Sequence, residues 1–158
     1  MKVAAVQLTS TGNITENQEL ALAKIREAAG NGARLIVLPE ATSQNFRSGR
    51  LDEQAQTLEG PFATAIQALA EELEVTVVAG MFCPADTVER EGKTINRVTN
   101  TALIAGPGVL GGYDKIHTYD AFDYRESDTV LAGESLVAFD VDDLIAVSYT
   151  HLTLPTID

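Results

Sequence analysis

The stretch Ala33-Arg34-Leu35-Ile36-Val37-Leu38-Pro39-Glu40 decides how the chain reads. Leu35 to Leu38 are four aliphatic residues without polar alternation, the pattern of a short strand buried on both faces. Pro39 has no N–H for a ladder and stops the strand, so Glu40 stands at its carboxyl end. Upstream, Lys2-Val3-Ala4-Ala5-Val6-Gln7-Leu8 is a second apolar, β-branched run of strand length. Between the two, Thr9 to Gly12 make a turn, and Asn13 with Glu16 is spaced as a capping box, each side chain expected to satisfy a free N–H of the first helical turn. Leu22, Ile25 and Ala29 then recur at helical spacing, and Gly30 and Gly32 can supply a left-handed stop. Downstream, Pro61 is a favoured first-turn residue. It opens a stripe of Phe62, Ile66, Leu69 and Leu73 with Glu71, Glu72 and Glu74 toward solvent. Val75 to Ala79 make a third strand. The order β-α-β-α-β predicts a layered α/β sheet covered by amphipathic helices.

The second half changes character. Thr99 to Ala105 and Val109 to Lys115 read as strands joined by Gly106-Pro107-Gly108, and Leu136 to Val141 and Leu144 to Val147 as a pair turning at Asp142-Asp143. Helical periodicity ends at Glu74, so few helices are left to cover these strands, which points to missing chain. No repeat, low-complexity tract or linker divides the 158 residues, and one domain is expected. At 45% hydrophobic and 22% charged residues the chain reads as soluble and globular. A net charge of −12 with no Lys/Arg run speaks against a nucleic-acid groove or an anionic membrane surface. No stretch is long enough to span a bilayer and the start does not read as a signal peptide, so a cytoplasmic location is expected. The single cysteine, Cys83, excludes an intrachain disulfide and a multi-cysteine metal cage.

Open α/β sheets place ligand crevices at the carboxyl ends of strands, where Glu40 stands. Burial there would raise its pKa and make it a candidate general base; a solvated loop carboxylate is the alternative. Lys115, within Tyr113-Asp114-Lys115-Ile116-His117-Thr118-Tyr119, ends another strand between aromatics. It can neutralise an oxyanion or pair with Glu40; alone, it reads as an ordinary surface lysine. His117 reads as a hydrogen-bonded structural imidazole, and with His151 the only other histidine no zinc site is expected. Cys83 has no neighbouring His, Lys or helix start to depress its pKa and reads as a small buried hydrophobe. Gly106-Pro107-Gly108-Val109-Leu110-Gly111 fits G-x-G-x-x-G, and Glu126 lies about 20 residues on, as a ribose-binding acid would. That motif needs a helix opening at the glycines, whereas Gly112-Tyr113-Asp114 follows, so a hairpin turn is expected. The sequon Asn13-Ile14-Thr15 has no weight without secretion.

Together these residues resemble the nitrilase superfamily of carbon–nitrogen hydrolases, from Met1 to about Val147. The resemblance rests on Val3 to Leu8, on Ala33 to Glu40 with its Leu-Pro-Glu ending, on Tyr113 to Tyr119 around the lysine, and on Tyr124-Arg125-Glu126-Ser127-Asp128 followed by Gly133. It implies an α/β fold of the α-β-β-α sandwich type, truncated to about its N-terminal half, with residues 1–147 a partial hydrolase domain. It also implies hydrolysis of a small carboxamide, or less often a nitrile, by glutamate, lysine and cysteine acting together. On this resemblance Glu40 is the general base, Lys115 stabilises the tetrahedral oxyanion, and Glu126 holds Lys115 and the substrate amide. A cysteine thiolate attacks the carbon to give a thioester that water cleaves. Phe46 falls where family members carry an aromatic pocket residue. The resemblance calls for no metal or organic cofactor and implies a homo-oligomeric parent enzyme acting on a small-molecule amide; the charge balance adds the expectation of no nucleic-acid or membrane partner.

One departure matters. After a strand such as Asp143 to Val147 the family continues into a Cys-Tyr-Asp-like nucleophile elbow, whereas this chain reads Ser148-Tyr149-Thr150-His151-Leu152-Thr153-Leu154-Pro155-Thr156-Ile157-Asp158. Residues 148–158 are therefore expected to be a non-family tail of frameshifted or adaptor-like origin, and the chain as written to be inactive for want of the cysteine. Ser148 and His151 on a strand would face opposite sides and have no orienting acid, so they make no nucleophile pair. Two other readings stay open: a non-catalytic nitrilase-like module that binds a small amide or a protein partner, and a purely structural α/β domain in which Glu40 and Lys115 form only an ion pair.

Overall fold

A computed structural model describes residues 1–121 and 124–148. Its main sheet is built from β1 (Val3–Ala5), β2 (Leu35–Val37), β3 (Thr76–Arg90), β4 (Lys93–Gly106) and β5 (Val109–Asp114), in that spatial order. Helices α1 (Ile14–Gly30) and α2 (Pro61–Glu72) are the crossovers that let β1, β2 and β3 run parallel. From β3 onward the pairing is antiparallel, through turns at Glu91-Gly92 and Pro107-Gly108. Two short ribbons follow, β6 (Asp120–Ala121) with β7 (Tyr124–Arg125) and β8 (Val137–Val141) with β9 (Leu144–Ser148).

Alternation along the strands gives the sheet two unlike faces. Ile36, Val77, Ala79, Met81 and Leu103 point toward the helices and pack with Ala21 and Ile25 of α1 and Phe62, Ile66 and Leu69 of α2, all at most 3% exposed. Each large side chain buried there contributes about 1.5–3 kcal/mol. The opposite face carries Val3, Val37, Val78, Gly80, Asn100, Ala102 and Tyr113, and at its β1 edge it is open: Val3 is 53% and Val37 37% exposed. Arg34, just before β2, ties the β8–β9 turn to the sheet through Asp142 at 2.8 Å. Ser148, at the far end of β9, lies beside Val37 and Val78, so β9 runs toward the end of β2 that carries Glu40.

The expected strands and helices are present, with three differences. The capping box is only half formed. Asn13 Oδ1 accepts from Thr15 N and Glu16 N, but Glu16 takes the Thr11 hydroxyl at 3.0 Å, and it is Thr11 Oγ1 that accepts from Asn13 N. β1 is shorter than the apolar run around it. β3 and β4 are much longer than expected and form a ribbon reaching Arg90 and Lys93, with a register shift between Pro84 and Thr87. Cys83 therefore lies within β3, not after it. The Gly106–Gly111 segment is the turn and start of a hairpin, as expected. Among the described residues no helix is long and apolar enough to cross a membrane.

Candidate active site

Glu40 is placed by contacts between its own segment and β3. Leu38 N donates to Val78 O at 2.8 Å and Gly80 N to Pro39 O at 3.1 Å, after which the Glu40 main chain lies directly on Gly80. A Cβ on Gly80 would stand 1.6 Å from the Glu40 carbonyl oxygen, so only glycine permits this approach. Ser43 N then returns to Gly80 O, and the buried Asn17 of α1 donates to Ser43 O at 2.9 Å, fastening the loop from below.

Lys115 follows β5 directly. Its N–H donates to Asn100 O at 2.8 Å and its carbonyl accepts from Gly133 N at 2.9 Å. Glu126 opens a short 3-10 turn whose carbonyl accepts from Val130 N, and Val130 pairs with Val98 of β4. Three segments distant in sequence thus deliver their side chains to one point.

Lys115 Nζ lies 3.0 Å from Glu126 Oε2 and 3.3 Å from both Glu126 Oε1 and Glu40 Oε1. Asn100 Nδ2 donates to Glu40 Oε1 at 2.7 Å and lies 3.5 Å from Glu126 Oε1, while Tyr119 N donates to Glu126 Oε2 at 2.6 Å. The side chains of Glu126, Lys115 and Glu40 are 5%, 16% and 53% exposed. Glu40 is thus half open to solvent, contrary to the burial its position suggested, because the strand ends before it and none of the described residues covers the crevice on that side. Burial pulls the Lys115 ammonium down, but the hydrogen bonds and charges of Glu126 and Glu40 outweigh it and hold its pKa above the ordinary lysine value. The cluster is therefore a charged ammonium between two carboxylates, one sealed and one accessible.

An open pocket of about 510 Å³ lies over it, lined by Glu40, Phe46, Arg47, Lys115, Tyr119 and Glu126. Phe46 stacks edge-on against Phe82 with ring centres 5.3 Å apart. A smaller space of about 220 Å³ continues along the second sheet face, where Ser148 joins Glu40 and Lys115. A separate cleft between β1 and α1 contains none of these residues. Cys83 faces the helices, packing on the helix-side core beside Thr99 and Thr101. Burial pushes its thiol up, against hydrogen bonds from those threonines. His117 is exposed on the bend after β5. His151 and the rest of the tail from Tyr149 lie outside the described residues, and only Ser148 of the expected 148–158 tail is described. Among the described residues no group of three His, Cys, Asp or Glu is arranged to hold a metal.

Asn100, Asn17 and Gly80 are site-building residues that the sequence reading passed over. Asn100 carried a signal: it is the polar member of the alternating set Val98, Asn100, Ala102, where a buried face is otherwise apolar.

Residues 2–150 match the family profile of carbon-nitrogen hydrolases. The chain belongs to the carbon–nitrogen hydrolase family. A hydrolase of Mycobacterium tuberculosis is 40% identical over 147 residues, covering 90% of this chain and 49% of that protein. A deaminated glutathione amidase of Synechocystis is 36% identical over 137 residues, covering 83% and 49%. The crystal structure of a CN-hydrolase superfamily protein from Xanthomonas campestris superposes with a TM-score of 0.74 at 23% identity, covering 92% of this chain and 51% of that one. The fold is thus the α/β fold of the nitrilase superfamily, and the chain spans about half the length of the curated relatives it matches.

Proposed function

We propose that the pocket over Lys115 receives the amide group of a small carboxamide, with Glu40 as general base, Lys115 stabilising the oxyanion and Glu126 positioning both Lys115 and the amide. The observation that carries this is the convergence of the Glu40 and Glu126 carboxylates on the Lys115 ammonium at the wall of one pocket, with Glu40 the most open of the three to solvent. A base must be accessible to substrate, which the half-open Glu40 supports; a positioning group can be largely buried, as Glu126 is. A fixed, poorly solvated ammonium stabilises developing negative charge better than water can. Phe46 supplies an apolar wall for the substrate's carbon chain. Nitriles are the second choice, since the Synechocystis relative is named for an amide substrate.

The complete reaction also needs a nucleophile, and the family's is a cysteine thiolate. The one cysteine of this chain faces the other side of the sheet. The chain as written is therefore read as binding a carboxamide without turning it over, which is the binding-module reading. The test is calorimetry with small carboxamides together with ammonia release against a Glu40→Ala control. Binding without ammonia above the control is expected. Turnover above the control overturns the inactivity, and absence of binding by any carboxamide overturns the assignment of the pocket.

A further inference from the structure

We propose that Asn100 is a positioning residue that aims the Glu40 carboxylate, holding Oε1 against the protein and leaving Oε2 to the pocket. The inference rests on the reading of Glu40 as the base. Asn100 is 4% exposed on β4, in register with Phe82 of β3. It touches all three charged residues: its carbonyl accepts from Lys115 N at 2.8 Å, and its Nδ2 donates to Glu40 Oε1 at 2.7 Å and lies 3.5 Å from Glu126 Oε1. Lys115 Nζ reaches the same two oxygens at 3.3 Å. Both donors thus converge on one oxygen of each glutamate. The other oxygen of Glu126 is taken by Lys115 and by Tyr119 N. Glu40 Oε2 accepts no hydrogen bond among the described residues, so it is the carboxylate oxygen left for a proton.

Lysine alone does not fix that choice. An ammonium is a compact charge with rotatable donors on a flexible stem, and it attracts either oxygen of a carboxylate. Glu40, half open to solvent, is free to rotate unless a directional donor selects one oxygen. The planar amide of Asn100 is such a donor, and it is rigidly held because its own strand is buried. Its neutrality matters as well. Glu40 already faces Lys115 and Glu126, with Arg47 on the same pocket, and a second cation in place of Asn100 would lower its basicity, whereas an aspartate would add a third carboxylate.

The experiment is an NMR titration of the chain itself, which needs no turnover. In the wild type the Asn100 side-chain NH₂ resonances are expected to move as Glu40 takes up a proton, and that pH dependence is expected to be lost in Glu40→Gln. In Asn100→Leu, similar in volume but without a donor, Glu40 swings toward solvent, and the Lys115 ε-carbon titration is expected to shift downward from its wild-type midpoint. An unchanged Lys115 titration in a folded Asn100→Leu overturns the proposal by leaving Asn100 a packing residue only. If Asn100→Leu does not fold, the wild-type titration still decides: pH-independent Asn100 NH₂ signals overturn it. Failure of carboxamide binding with a positive titration would instead sink the proposed function and leave the clamp in place.

Discussion

Replacing Gly80 with alanine should unseat Glu40 while leaving the helix-side core intact. The added Cβ would lie 1.6 Å from the Glu40 carbonyl oxygen and 2.1 Å from its carbonyl carbon. These are main-chain atoms, so no side-chain rotation can clear them. Restoring an ordinary contact of 3.4 Å from the 1.6 Å separation requires a displacement of about 1.8 Å. A shift of that size breaks the hydrogen bonds of Gly80 N to Pro39 O and Ser43 N to Gly80 O, and carries Glu40 out of reach of Lys115, now 3.3 Å away. Overpacking costs typically 1–3 kcal/mol, and with backbone on both sides the upper end, about 3 kcal/mol, is expected. For a domain of this size that is a fall in melting temperature of roughly 6–12 °C. Urea unfolding followed by circular dichroism measures it, with Gly30→Ala as the control. Gly30 ends α1 with nothing within 4 Å of an added Cβ, so alanine there should stabilise by about 0.4–1 kcal/mol through the unfolded state. A Gly80→Ala protein with the wild-type midpoint and slope would refute the steric argument.

Lys115→Met leaves the sealed Glu126 carboxylate without its cation. It should cost about 3 kcal/mol, the lower end for breaking a buried pair because Lys115 is partly open on the Glu40 side; the double variant Lys115→Met/Glu126→Leu should recover most of this in the same urea titration. The pH dependence follows from the raised Lys115 pKa. A group whose pKa is raised by folding stabilises fully below its unfolded value and loses that contribution as pH climbs through the folded value. The gap in melting temperature between wild type and Lys115→Met should therefore be constant near neutrality and narrow above about pH 10.5; a gap that widens there would contradict the pairing. The exposed Val3, Val37, Ile145 and Val147 should make the chain self-associate at rising concentration in sedimentation velocity. A single monomeric boundary throughout would contradict that.

The first half of the fold is legible because each element announces itself locally. Leu35 to Leu38 is an apolar run closed by Pro39, and Pro61 with the Phe62–Ile66–Leu69 stripe marks both the start and the buried face of α2. The β3–β4 ribbon beyond Cys83 is not legible. Pro84 reads as a breaker, and Thr87 to Lys93 is polar and exposed apart from the half-buried Val88, held by ladder bonds rather than by burial. Glu40 is visible from its place after a strand, but its exposure is not, since that depends on what lies over the crevice. Lys115 and Glu126 entered as a pair only through the family resemblance, because spacing along the chain says nothing of the turn that folds Glu126 back onto Lys115. The roles of Asn17 and Asn100 are not legible in the sequence, because a buried asparagine shows its purpose only once its partners are in place.

The most direct test of the central claim, that Glu40, Lys115 and Glu126 form one amide-accepting site, is NMR mapping of the chain titrated with propionamide. Saturable shifts are expected at the Lys115 ε-carbon and the Asn100 side-chain amide of the wild type, none at Thr99 on the helix side, and loss of the Asn100 shift in Lys115→Met. An Asn100 shift that persists in Lys115→Met, or no shifts near the cluster at high amide concentration, would contradict it.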